Sequence, residues 1–157
     1  MTGRAEVARL RKQLDDTFER VRDLMGDPDL EIRSDFARYL CVLVSGYLER
    51  ALVEIILEHA RSAGGPTLQR FVEVHTRRFA NANCQRILSL VGNLDPRWRT
   101  DLEAVLKDER KAAIDSIIAL RNRIAHGTPP GITYHRIREY YLHVQAAIEE
   151  VAQVCGV

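Results

Sequence analysis

An all-α fold is what this chain predicts, from three observations. Its 157 residues are 46% apolar, enough to bury one continuous core. Glycine and proline cluster at four places, 26–28, 64–66, 92–96 and 127–131. Between those clusters apolar residues recur three and four apart, the spacing that gathers them on one side of a helix.

The first helix is predicted from about Glu6 to Met25, with Val7, Leu10, Leu14, Phe18, Val21 and Met25 on its inward face. The second starts near Pro28 or Ser34 and runs to about Ala63. Its stripe of Phe36, Leu40, Leu43, Tyr47, Ala51 and Ile55 is widened by Tyr39, Val44, Leu48, Leu52 and Ile56, so it should be the central, most buried helix. Shorter helices follow at about Thr67 to Ala80 and Asn83 to Leu90. Asp95 and Pro96 then form an N-cap and first-turn proline for a helix through Leu106. The next, from about Asp108 to His126, stops at Gly127, with Pro129 and Pro130 barring its continuation. Thr133 caps a last helix carrying Ile137, Tyr140, Tyr141, Val144, Ala147, Ile148 and Val151. The organisation expected is a single domain over residues 1–157, without internal repeats or heptad runs.

Charge narrows the possible functions. Lys and Arg total 23 against 22 Asp and Glu, a formal net charge of +1, so a binding surface has to be a local patch rather than a basic coat. Apolar stretches such as Tyr39 to Ser45 and Ile114 to Leu120 fall well short of the roughly 18–20 residues of a membrane span. Residues 1–12 lack the pattern of a secretory signal, and a cytoplasmic protein with no membrane association is expected. Cys41, Cys84 and Cys155 are three, far apart and without redox or zinc spacing, and read as small apolar fillers.

Phosphate-loop, dinucleotide, zinc-protease and serine-hydrolase motifs are all missing, and no acidic cluster has metal-ligand spacing. No cofactor or metal is therefore expected. The segment that remains is Arg121-Asn122-Arg123-Ile124-Ala125-His126-Gly127 at the end of a helix. With a turn of about 100° per residue from Ile114, Ile117 falls at roughly 300°, Ile118 at roughly 40°, Ile124 at roughly 280° and Ala125 at roughly 20°. Arg121, at roughly 340°, lies inside that apolar stripe, where a guanidinium is costly unless an anion or a carbonyl array meets it. Asn122 at roughly 80°, Asp115 at roughly 100° and His126 at roughly 120° make a polar edge beside the core, with small Ala119 between them. A helix C-terminus ordinarily collects such charges for capping and for the dipole, so the pattern needs a further explanation to be functional.

The spacing Arg-Asn-x-x-x-His, near the start of the last helical hairpin of a small helical chain, resembles the signature of the HEPN superfamily (higher eukaryotes and prokaryotes nucleotide-binding). Residues 34–39 (SDFARY) and 44–49 (VSGYLE) also resemble the long helix of a bacterial branch of that superfamily. The resemblance implies an up-and-down helical bundle that dimerises. It implies a metal-independent endoribonuclease of a toxin–antitoxin, phage-defence or RNA-processing system, or a member that has lost catalysis and only binds nucleotide, RNA or a partner protein.

Metal-free RNA cleavage needs a base to take the 2′-OH proton and an acid to protonate the departing 5′-oxygen. One chain supplies one histidine in the motif, and a two-fold homodimer would set a His126 on either side of one phosphate. Imidazole, with an ordinary pKa near 6.5, suits both roles. Arg121 would hold the phosphate through its fork, and Asn122 would donate to a phosphate oxygen or orient His126. The products are a 2′,3′-cyclic phosphate and a 5′-hydroxyl, and DNA is not a substrate. An antitoxin or defence protein is a candidate partner.

Weaker features complete the reading. Between Arg61 and Thr100 seven arginines face two acids, which either steers RNA or forms a solvated surface, the latter being favoured. Trp98 and Tyr134 read as packing anchors before base-stacking groups. Glu49 and Glu54 are candidates to pair with Arg121, and His59, His75, His135 and His143 share no ligand spacing.

Overall fold

The computed structural model of the chain describes residues 2–26, 30–127 and 131–157. Seven helices and no strand occur among the described residues: α1 (Gly3–Leu24), α2 (Leu30–Ala63), α3 (Pro66–Thr76), α4 (Cys84–Gly92), α5 (Pro96–Val105), α6 (Asp108–Ala125) and α7 (Tyr134–Val154). The all-α expectation is met. Pro28, Pro129 and Pro130, invoked as punctuation, lie outside the described residues.

Helix α2 is the spine. Its 34 residues rise about 51 Å. It packs against α1, α3, α6 and α7, and Ala37, Leu40, Cys41, Val44, Leu48, Ala51 and Ile55 are fully buried on it. That burial follows from its widened stripe, which offers apolar side chains to neighbours on several sides. Helices α1, α6 and α7 complete the long bundle, while α4 packs on α5, α5 on α7, and α4 touches α6.

Aromatic packing ties three of the long helices together. Phe18 of α1 stacks on Tyr141 of α7 with centroids 4.7 Å apart, and Tyr47 of α2 meets Tyr141 edge-on at 5.9 Å. The Tyr141 hydroxyl donates to Asp15 Oδ1 at 2.7 Å, so the buried ring keeps a partner for its polar end. Burial, followed by that carboxylate, pushes the Tyr141 phenol up.

Two boundaries differ from those predicted. α1 begins at Gly3 rather than Glu6 because its first turn lies directly on α2: the Gly3 N–H donates to Glu58 Oε2 at 2.7 Å, and a Cβ there would stand 2.5 Å from the Glu54 carbonyl oxygen. Apolar spacing carries no trace of such a close approach. α3 ends at Thr76 rather than Ala80, where the Thr76 hydroxyl turns back to donate to the Val72 carbonyl at 2.9 Å. Asn81 then adopts φ 56°, with its N–H on Glu49 Oε1 at 2.7 Å.

The predicted caps are present: Asp95 accepts from the Arg97 N–H and Thr133 from the Arg136 N–H; Asn83, not foreseen as a cap, accepts from the Arg86 N–H. Gly127, at φ 74°, closes α6 by donating to the Ile124 carbonyl at 3.1 Å.

Candidate functional site

Helix α6 is held by its inner face. Ile114, Ile117 and Ile118 are buried, and the Cys41 thiol of α2 donates to the Ile117 carbonyl at 3.7 Å. Beyond Ile118 the helix emerges from its neighbours: Ile124 is half-buried and Ala125 exposed. Arg121, which the sequence places on the apolar stripe, is half-buried, as are Leu120 and Ile124, which pack against the core.

Arg121 Nη1 donates to Asn122 Oδ1 at 3.1 Å, and no carboxylate among the described residues forms an ion pair with it. Glu49 and Glu54, which could pair with it or equally be ordinary surface acids, form no ion pair with it; the Glu49 carboxylate is engaged with the Asn81 N–H. His126 is exposed and caps α6, with its backbone N–H donating to the Asn122 carbonyl at 3.0 Å. Its imidazole makes no hydrogen bond among the described residues. Arg121, Asn122 and His126 thus occupy consecutive turns at the open end of one helix. Asn122 is bound to Arg121 through its side chain and to His126 through its backbone, rather than orienting the imidazole directly.

Asp115, placed by the sequence on the same polar edge, has a local role. Its Oδ1 accepts the Cys84 N–H at 2.9 Å and its Oδ2 accepts from Lys111, whose ammonium that bond holds above its ordinary range. Between α4 and α6 this leaves a groove of about 360 Å³, reaching from Lys111 and Asp115 past Ala119 to Asn122, with Asn83 and Gln85 on the opposite wall and Ile118 and Leu88 beneath. The contribution of α4 was not legible beforehand, because residues 83–85 and 115–122 come together only by packing.

Elsewhere the bland readings hold. Of the seven arginines between Arg61 and Thr100, Arg61, Arg70, Arg77, Arg97 and Arg99 pair with Glu58, Glu73, Glu73, Asp95 and Glu103. Trp98 packs edge-on against His59 at 4.7 Å, and the Tyr134 hydroxyl donates to the Phe18 carbonyl at 3.3 Å, so both are anchors. Cys41, Cys84 and Cys155 are buried free thiols, each pushed up to about 12 chiefly by desolvation. Among the described residues no cluster of His, Cys, Asp or Glu could hold a metal ion, and no helix is long and apolar enough to cross a membrane. A separate apolar groove of about 490 Å³ runs between α1 and α2, lined by Leu10, Leu14, Tyr39, Val42, Gly46 and Tyr47. It lies across α2 from the Cys41 side that meets α6.

Comparison with known proteins yields one match. A family model described as RiboL-PSP-HEPN covers residues 6–156. No curated protein and no solved structure matches the chain.

Proposed function

The chain belongs to the RiboL-PSP-HEPN family, and on that premise we propose that it is a metal-independent endoribonuclease of a toxin–antitoxin or phage-defence system, acting as a homodimer. HEPN domains are commonly ribonucleases, and the family also contains inactive members. The observation that carries the catalytic reading is the C-terminal end of α6, where a half-buried arginine with no ion pair among the described residues lies five positions before an exposed imidazole that makes no hydrogen bond among them.

The chemistry follows from these groups. A phosphodiester brought to Arg121 meets a fork of N–H donors whose charge no carboxylate has already neutralised, and the added charge of a pentacoordinate phosphorane strengthens that interaction. A two-fold axis near the α6 ends sets the two copies of His126 on either side of one phosphate. One neutral imidazole removes the 2′-OH proton as that oxygen attacks phosphorus. The other, protonated, donates to the 5′-oxygen as its bond to phosphorus breaks. The strand ends as a 2′,3′-cyclic phosphate and a 5′-hydroxyl. Asn122, with its Nδ2 donors free to face a phosphate oxygen, joins Arg121 in holding the linkage.

The test is incubation of end-labelled RNA, and of DNA of the same sequence, in excess chelator. Cleavage of RNA alone to cyclic-phosphate ends is expected, together with its loss in His126→Ala. Binding without cleavage by the wild-type protein would instead place it among the inactive members that hold nucleotide, RNA or a partner protein.

A further inference from the structure

The groove between α4 and α6 has no part in the acid-base chemistry, yet it opens from it. Asn122 belongs to both: it lines the groove and stands four residues, about 6 Å along the axis, before His126. Whatever fills the groove beside Asn122 is therefore attached close to the linkage that the histidines address.

The lining has the character that a flat heteroaromatic ring requires. Ile118 and Leu88, 3% and 8% exposed, form an apolar floor, and Ala119 leaves open the stretch of wall between Asp115 and Asn122. The volume of about 360 Å³ falls at the small end of ligand clefts, roughly 300–1,000 Å³. Around the rim stand polar groups able to read a ring edge. Gln85 is exposed, and its amide makes no hydrogen bond among the described residues, so one donor and one acceptor are available side by side. Across from it the Asp115 carboxylate is engaged with the Cys84 N–H and with Lys111, whose ammonium also lines the groove.

We propose that this groove is a nucleobase subsite beside the cleaved linkage, with the Gln85 amide reading the edge of the base. The inference rests on the ribonuclease reading for its place in the reaction, but not for its chemistry. A side-chain amide pairs bidentately with an adjacent acceptor and amino donor on a base, a contact that discriminates by about tenfold or more.

The experiment uses short oligodeoxynucleotides with a single ribonucleotide as the only cleavable position, and each of the four bases in turn at and next to it. Wild type should cut the best and the worst of the four bases at rates about tenfold apart at a single flanking position. Gln85→Ala, at an exposed site, and Ala119→Leu, which fills the opening, should each bring the four rates within about twofold while both proteins keep the wild-type melting temperature. Equal rates in wild type, or a preference that survives both substitutions, would overturn the subsite. If wild type cuts none of the substrates, the ribonuclease reading fails separately. The same oligonucleotides, fluorescently labelled, are then titrated onto wild type and Gln85→Ala: the same base order in affinity, lost in the variant, supports the groove, and equal or absent binding rejects it.

Discussion

The Asp115 carboxylate and the Cys84 backbone N–H meet at 2.9 Å, joining the middle of α6 to the first turn of α4. The same carboxylate accepts from Lys111. Removing it leaves a half-buried N–H with only solvent to satisfy it and loosens the wall that carries Gln85. Asp115→Ala should therefore cost about 1–2 kcal/mol of stability in urea unfolding, and Asp115→Asn less because an acceptor remains. An alanine variant as stable as wild type would show that α4 is held by its apolar face alone.

His126 is exposed, and its ring is bonded to nothing within the described chain. His126→Ala should leave the unfolding free energy within about 0.5 kcal/mol of wild type while abolishing RNA cleavage. Arg121→Lys keeps the charge but loses the fork and should lower the cleavage rate by roughly 10- to 100-fold. Wild-type turnover in either variant would remove that residue from the reaction.

The three thiols give a dependence on alkali with a definite sign. Burial raises Cys41, Cys84 and Cys155 from 9.0 to about 12, and Tyr47 from 10.0 to about 12. The folded chain therefore keeps protons that the unfolded chain gives up, and the contribution of these groups to stability is constant below about pH 8.5 and is lost as pH rises toward 12. Melting temperatures measured between pH 7 and 10 should decline only above that threshold. At pH 8 a thiol-alkylating reagent should label none of the three until denaturant is added; rapid native labelling would contradict the burial of that cysteine.

Val42 and Tyr39 border the apolar groove between α1 and α2, on the other side of α2 from the helix that carries the histidine. A shared acid-base pair requires the two copies to meet at the α6 ends, so Val42→Glu should leave both the dimer and cleavage intact. Size measurement by light scattering alongside the RNA assay checks this. A monomeric, inactive Val42→Glu protein would place the contact between copies on the wrong face for the mechanism.

Elements with local signals were legible in the sequence. Asp95 before Pro96, Thr133 before α7 and Gly127 after α6 each announce a boundary through their own backbone preference, and each stands where it was expected. Burial along α2 was equally readable because its apolar residues cover more than one face. Arg121 lies on the apolar stripe of the wheel yet is only half-buried, because burial along α6 falls off after Ile118. Glu49 was a plausible partner on its chemistry, but the turn at Asn81 claims it. The groove was invisible because Gln85 and Ala119 are 34 positions apart and no periodicity joins them.

If the Arg121 guanidinium holds the phosphate as proposed, it does not distinguish which oxyanion arrives first. Inorganic phosphate or sulfate left from purification competes with the sugar-phosphate strand for the same fork, so storage buffer becomes a hidden inhibitor whose strength grows with its concentration. Preparations exchanged into chloride will then look more active than those kept in phosphate, with no change in the polypeptide itself.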